Sequence, residues 1–197
     1  MVCTDSDEFY EAARMYRSHG MAREISDPVR KAGIARENPQ VSPDFTFLVP
    51  SCNFRGTEIG GVLGRSQLKR LDANNLLRTR NFKRFLREID PERYRTDFRV
   101  EGSSNYAFPL VIREKDFAFR DRLETWMREC RIEFRRGNAG GGNQLRQPYL
   151  RGIVPPDAYR DFPEVEHIHD FGYYIGNYPS LSEERVSELC QILNQVR

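Results

Sequence analysis

The sequence predicts a mixed α/β or α+β fold, and three observations carry that expectation. From about residue 90 onward, short aromatic and β-branched segments alternate with apolar stripes at helical spacing. The last segment pairs Ser180 and Glu183 at capping-box spacing with an apolar face of Val186, Leu189, Cys190 and Leu193. The first ninety residues show helical pattern and proline-broken stretches but no convincing strand.

Taken in order, Phe9, Ala12, Ala13 and Tyr16 recur at helical spacing, so residues 6–17 read as an amphipathic helix. Its start is acidic, which suits the positive end of a helix dipole, and Gly20 is its expected stop. From Glu24 to Ser51, four prolines break the pattern into one long irregular connection. A long helical region is expected from Thr57 to Glu88, with apolar positions at Ile59, Val62, Leu63, Leu68, Leu71, Phe82, Phe85 and Leu86. A break is possible near Asp72–Asn75, and Pro91 ends the region.

Asn105–Ile112 reads as a strand, and Pro109 within it argues for a sheet edge. Asp116 is placed to cap a helix whose stripe is Phe119, Leu123, Trp126, Met127 and Cys130. A short strand over Ile132–Phe134 follows, then a glycine-rich loop over 137–149. Phe162–Asp170 reads as a short helix and Gly172–Ile175 as a strand.

Composition narrows the function classes. The 31 basic and 29 acidic side chains leave a net charge of +2, which gives no global pull toward nucleic acid or anionic membrane. No apolar run approaches the roughly 18–20 residues that span a bilayer. The acidic N-terminus lacks the layout of a signal peptide. Cys3, Cys52, Cys130 and Cys190 are widely spaced with no CxxC pair, which fits reduced thiols in the cytoplasm.

Three constellations can carry chemistry. At Ser51–Ile59 a polar turn with Asn53, Arg55 and Thr57 opens a helix, where amides and dipole favour an anion. The plainer alternative is that Thr57 caps the helix and Arg55 is solvated. In Arg135–Tyr149, glycines permit close approach to a ligand and arginines frame them, with Asn138 and Asn143 as hydroxyl partners. Neither P-loop nor dinucleotide spacing is present, and the alternative is a flexible surface loop. His19, after the first helix, can transfer a proton near neutral pH or be merely structural. His167 and His169 diverge on a helix and have no further evident ligand, so no metal site is expected. The run Arg65, Lys69, Arg70, Arg78, Arg80, Lys83, Arg84 and Arg87 fits a solvated or acid-paired helix; a nucleic-acid-binding helix is the remote alternative.

Together these segments resemble the DegT/DnrJ/StrS family of PLP-dependent nucleotide-sugar aminotransferases and dehydratases. The family pattern Asn-x-Arg-x-Thr-Glu followed by Gly-x-x-Gln-Leu is matched by Asn53-Phe-Arg55-Gly-Thr57-Glu58 and Gly64-Arg-Ser-Gln67-Leu68. Met1-Val-Cys-Thr-Asp5 with Arg17-Ser-His-Gly20 looks like the stretch just after the family's cofactor-anchoring segment, and the Arg135–Tyr149 loop and Tyr174-Ile-Gly-Asn-Tyr-Pro179 look closer to the dehydratase-like branch. Gly56, Gly60 and Gly61 depart from the usual pattern, where bulkier residues or alanine are frequent.

The resemblance implies the C-terminal part of a fold-type I PLP-dependent transferase. Residues 1–56 would be a remnant of the large PLP-binding domain, 57–90 a connecting helix, and 91–197 the small α+β domain. It implies PLP chemistry on a nucleotide-linked 4-keto-6-deoxy sugar, as aminotransferase or 3-dehydratase, in cell-surface polysaccharide or deoxysugar biosynthesis. The lysine that holds PLP, or the histidine that replaces it in dehydratases, is expected just before Met1, so PLP binding by this chain alone would be weak or absent. Asn53 matches the position that reaches across a homodimer to the neighbouring subunit's PLP phosphate. His19 matches a histidine near the active site, and Arg23, Arg55, Arg136, Asn138 and Asn143 are assigned to the sugar nucleotide. The alternative is an inactive fragment, or an assembly partner of a separately encoded N-terminal half.

Overall fold

Local signals fix the helices in the computed structural model, which describes residues 3–54 and 58–196. Helix α1, Asp7–Arg17, starts where the Ser6 hydroxyl accepts the Phe9 amide. Helix α2, Pro28–Glu37, starts where the Asp27 carboxylate accepts the Val29 amide, with Pro28 at the first helical position. The stretch expected to be irregular from Glu24 to Ser51 therefore contains a helix. Pro28 does not interrupt it; it begins it.

The expected long helix is two helices, α3 over Glu58–Leu68 and α4 over Leu71–Glu88, separated at Lys69–Arg70 rather than at Asp72–Asn75. Strand β1, Ala107–Val111, is followed by α5 over Phe117–Glu129, where the Asp116 carboxylate accepts the Phe119 amide as anticipated. Strand β2 lies at Phe134–Arg136, two residues beyond its expected start. Helix α6, Pro163–Phe171, runs directly into strand β3, Gly172–Gly176. Helix α7, Glu183–Asn194, is capped by the Ser182 hydroxyl accepting the Arg185 amide, not by Ser180. Both serines suit the role, and spacing alone picks the wrong one.

The chain divides into two compact units, Met1–Thr57 with Gly137–Asp170, and Glu58–Arg136 with Phe171–Arg197. The boundaries differ from those expected. Residues 58–90 group with the C-terminal elements, because α4 packs on α7, whereas the glycine-rich loop and most of α6 group with the N-terminal segment.

The second unit is a three-stranded antiparallel sheet in the order β1-β3-β2, with Pro109 on edge strand β1 as its missing amide requires. Strand alternation sends Phe108, Leu110, Tyr173 and Ile175 to one face, where they meet Phe82 and Phe85 of α4, Leu123 and Met127 of α5, and Val186, Cys190 and Leu193 of α7. Phe85 and Phe108 stack at 4.7 Å between centroids. Burial pushes the Cys190 thiol up to about 12, so it behaves as a small hydrophobe. The Tyr94 hydroxyl is buried and donates to the Leu193 carbonyl at 2.9 Å; that burial also raises its pKa.

Two of the arginines on α4 are matched by acids within the unit. Arg84 pairs with Glu88 at 2.8 Å and with Glu183 of α7, and Arg80 lies 3.4 Å from Glu183. Helix α3 has no buried residue, and Ile59, Val62, Leu63 and Leu68 are all exposed.

Leu123→Ala is expected to lower the unfolding free energy by about 2–5 kcal/mol, since the side chain is fully buried. Leu63→Ala, at an exposed position, should change it by no more than about 0.5 kcal/mol. Denaturant titration of both variants makes the comparison.

Candidate functional site: the corner after the first helix

In the first unit, the end of α1 turns sharply because His19 (φ 61°) and Gly20 (φ 70°) both adopt left-handed backbone. The Gly20 amide returns to the Met15 carbonyl at 2.8 Å, closing the last turn of the helix. Gly20 cannot carry a side chain here, because a Cβ would lie 2.1 Å from the Val49 carbonyl oxygen. His19 holds a conformation that disfavours side chains and sits half-buried, a combination typical of functional positions.

Beyond the turn, residues 17–22 run antiparallel to residues 46–54. The His19 amide donates to the Cys52 carbonyl at 2.9 Å, Phe54 to Arg17 at 3.0 Å, Leu48 to Gly20 at 2.8 Å and Ala22 to Thr46 at 2.9 Å. Bridges pair Ser18 with Asn53 and Met21 with Phe47. In this ladder exposed Asn53 is the partner of Ser18, and His19 bonds Cys52; His19 and Asn53 are the residues the sequence reading assigns to catalysis and to cofactor binding. The Ser18 hydroxyl next to them is fully buried and makes no hydrogen bond among the described residues.

What holds this ladder is a residue that sequence reasoning did not single out. Gln147 is 1% exposed, and its side-chain amide mimics a strand. Its Oε1 accepts the Phe47 amide at 2.9 Å, while Nε2 donates to the Phe45 carbonyl at 2.9 Å and the Gly141 carbonyl at 2.8 Å. The 45–47 segment is therefore fastened to the glycine-rich loop. That loop is not a flexible tract. It folds as short 3₁₀ turns at Ala139–Gly141, Gln144–Arg146 and Pro148–Leu150.

Helix α6 anchors the loop in turn. His169 accepts the Asn143 amide on Nδ1 at 3.0 Å and meets the Gln40 carbonyl with Nε2 at 3.0 Å. Those partners assign the ring proton to Nε2. Gly142 (φ 60°) is required beside it, since a Cβ would lie 2.3 Å from Nδ1. Glu166 receives Arg146 through both carboxylate oxygens and Asn143 Nδ2 at 2.7 Å. Burial alone would raise the Glu166 pKa, but hydrogen bonds from Arg146 and Asn143 outweigh it and hold the carboxyl below its ordinary value.

The remaining assigned residues are dispersed. Arg23 lies 3.6 Å from Glu24 and packs over the Phe45 ring at 5.7 Å. Asn138 is half-buried at the start of the glycine turn, its carbonyl accepting the Gly141 amide. Asn143 is buried, caps the turn at Leu145 and binds Glu166, so it shapes the loop. Arg136 belongs to the other unit, 3.1 Å from the Glu124 carboxylate that also accepts the Tyr173 hydroxyl at 2.9 Å. Arg55 and Thr57 lie outside the described residues, and with them the anion-site and capping expectations. His167 and His169 are both buried, and no cluster of three or more metal-ligating side chains occurs among the described residues.

A family model described as DegT/DnrJ/EryC1/StrS aminotransferase family matches residues 1–194. Two curated relatives are GDP-4-keto-6-deoxy-D-mannose 3-dehydratases. The Escherichia coli O55:H7 protein is 23% identical over 193 residues, covering 98% of this chain and 49% of the relative. The Yersinia pseudotuberculosis protein is 26% identical over 195 residues, again covering 98% and 49%. The chain thus spans about half the length of these relatives. Among solved structures, the E. coli GDP-4-keto-6-deoxy-D-mannose-3-dehydratase with bound hydrated PLP superposes with a TM-score of 0.60 at 22% identity, over 96% of this chain and 48% of that one. A Helicobacter pylori aminotransferase of pseudoaminic acid biosynthesis gives a TM-score of 0.56 at 20% identity, over 98% and 47%. At these identities the structural likeness is one of fold.

Gln147→Ala should cost about 2–4 kcal/mol in stability, because it strips one buried amide and two carbonyls of their partner. Denaturant unfolding measures the loss. Glu166 contributes stability above the ordinary carboxylate pKa that is lost as pH falls through its lowered folded value. Glu166→Gln should therefore flatten the acid side of a stability-versus-pH curve, below about pH 4.5.

Proposed function

This chain belongs to the DegT/DnrJ/EryC1/StrS aminotransferase family, and on that premise we propose that it forms the C-terminal part of a PLP-dependent enzyme acting on nucleotide-linked 4-keto-6-deoxy sugars. The activity is amino transfer or removal of the C3 hydroxyl, in cell-surface polysaccharide or deoxysugar biosynthesis. The observation that supports the reading is the ladder that brings the 17–22 segment, with His19 at a glycine-dependent left-handed turn, against the segment that carries Asn53.

The residues at this corner fit the periphery of a PLP site. Asn53 is exposed and its amide can donate to a phosphate ester; in this reading it serves the neighbouring subunit of a homodimer. Lys31, the one lysine in the sequence of the first unit, donates its ammonium to the Arg23 carbonyl at 3.0 Å. We therefore assign the group that anchors the cofactor ring, lysine or histidine, to a residue outside 1–197. Bound PLP would supply an electron sink for the reacting sugar carbons.

His19 would hold and move a proton at its imidazole, on a backbone held by the bond from its amide to Cys52. Arg23 and Asn138 are the proposed contacts to the sugar nucleotide within the first unit. Asn143 acts one step back, shaping the loop through Glu166 and Leu145. Arg55 and Arg136 complete the proposed set. The four cysteines are all unpaired, which supports a reducing, cytoplasmic setting, and among the described residues no helix is long and apolar enough to cross a membrane. A separately encoded N-terminal half is the further partner this reading names.

Two measurements test it. Borohydride reduction of the chain mixed with PLP should leave no PLP covalently attached to residues 1–197, whereas a stable adduct on Lys31 would sink the assignment. In a protein carrying both halves, Asn53→Ala should weaken PLP retention roughly tenfold, as expected for one hydrogen bond to a charged group. The unfolding midpoint should not move.

A further inference from the structure

The sheet of the second unit has one covered face and one bare face. Register places Pro109, Tyr174 and Arg135 abreast on the face away from the core, with Ala107 opposite Gly176 one step further along. Around these residues lies a concavity of about 240 Å³, lined by Tyr106, Tyr174, Gly176, Tyr178, Glu133 and Arg135 among others.

Its construction is specific. Gly176 and Ala107 form a floor without bulky side chains. The Tyr178 ring lies over Gly176, where a Cβ would come within 2.7 Å of it. Tyr106 and Tyr174 stand edge to face at 6.2 Å between centroids, and Tyr106 and Tyr178 remain 67% and 58% exposed. Exposed aromatic rings on an open sheet are costly to leave in water and are the usual surface on which flat heterocycles stack.

The rim is braced from behind. Asn177, 1% exposed, donates from its backbone to Tyr106 at 2.8 Å and from its side chain to the Arg78 and Asn105 carbonyls at 3.0 and 2.9 Å. The tyrosines on either side of the floor are thus held by α4 before any ligand arrives, which lowers the entropy lost on binding.

Charge gives the site a direction. Arg135 is exposed on edge strand β2 and pairs with no carboxylate among the described residues, unlike its neighbour Arg136. Its planar fork suits a phosphate. Glu133 is the one acid lining the concavity, so a phosphate belongs on the Arg135 side. The volume suits a base with part of its ribose rather than a whole nucleotide-linked sugar.

We propose that this bare sheet face, at Tyr174, Gly176 and Arg135, is a stacking site for the base of a nucleoside phosphate. The site itself rests on the sheet alone; only the choice of guanine as probe rests on the reading of the family given above.

Calorimetric titration of the full chain with guanosine 5′-monophosphate, guanosine and inorganic phosphate tests it. The monophosphate should bind saturably, guanosine more weakly, and phosphate alone not at all. Tyr174→Leu should weaken both guanosine ligands roughly tenfold, and Arg135→Gln should weaken the monophosphate roughly tenfold while leaving guanosine unchanged. GDP-mannose binding as tightly as the monophosphate would mark the base of a sugar nucleotide as the natural occupant; markedly weaker binding would mark a free nucleotide. An unchanged unfolding midpoint checks that each variant is folded, and should Tyr174→Leu fail that check, Arg135→Gln carries the test alone. Monophosphate binding that is absent at millimolar concentration, or indifferent to Arg135→Gln, overturns the proposal. The PLP measurements on Asn53 read a different ligand, so either proposal can fail without the other.

Discussion

The first unit depends on one side-chain amide. Gln147 acts like a piece of neighbouring strand, giving the 45–47 segment one donor at the Phe45 carbonyl and one acceptor at the Phe47 amide, while it also donates to Gly141. Everything at the corner follows from that attachment. The 46–54 segment that pairs with 17–22 is fastened behind by this amide, and the pairing places Ser18 opposite Asn53 and His19 opposite Cys52. The glycine-rich loop is ordered for the same reason, with His169 and Glu166 closing the network on its other side.

The two units are stabilised by different physics. The second has a continuous apolar core in which aromatic rings and aliphatic side chains from three helices cover one face of a sheet. The first has only a small cluster around Met15, Ala22 and Ile25 and relies on polar side chains bonded to backbone. Buried hydrogen bonds contribute little net energy when made and cost much when broken. Such a scaffold specifies geometry sharply while having little stability in reserve. This is a sensible way to hold a histidine in left-handed backbone, which an apolar contact could not orient.

Much of this was legible in the sequence wherever the cause is local. Asp116 capping α5, Pro109 on an edge strand and the stripe on α7 are decided by residues a few positions apart, and each was read correctly from them. Asp27-Pro28 carried an equally local signal, a cap followed by proline at the first helical position, but proline counted among breakers hid it. Gln147 was invisible for a different reason: its partners at Phe45 and Phe47 lie about a hundred positions away, and no periodicity encodes that separation. His169 was weighed as a metal ligand because histidine invites the thought, whereas its work is to bridge Gln40 and Asn143. Asn53 and His19 stood out by their local chemistry, and the family resemblance supplied the roles proposed for them. Their shared ladder is a tertiary fact.

The order in which the chain threads its two units governs how it can fold. Residues 1–57 leave the ribosome before Gln147 and His169, which are made only after the whole of 58–136, so the earlier segment waits for its supports. Closing so long a loop is entropically slow and gives the second unit, whose own interior is also interrupted by 137–170, no simple head start. A chain cut short anywhere before residue 147 would leave the 45–47 segment without the amide that fastens it.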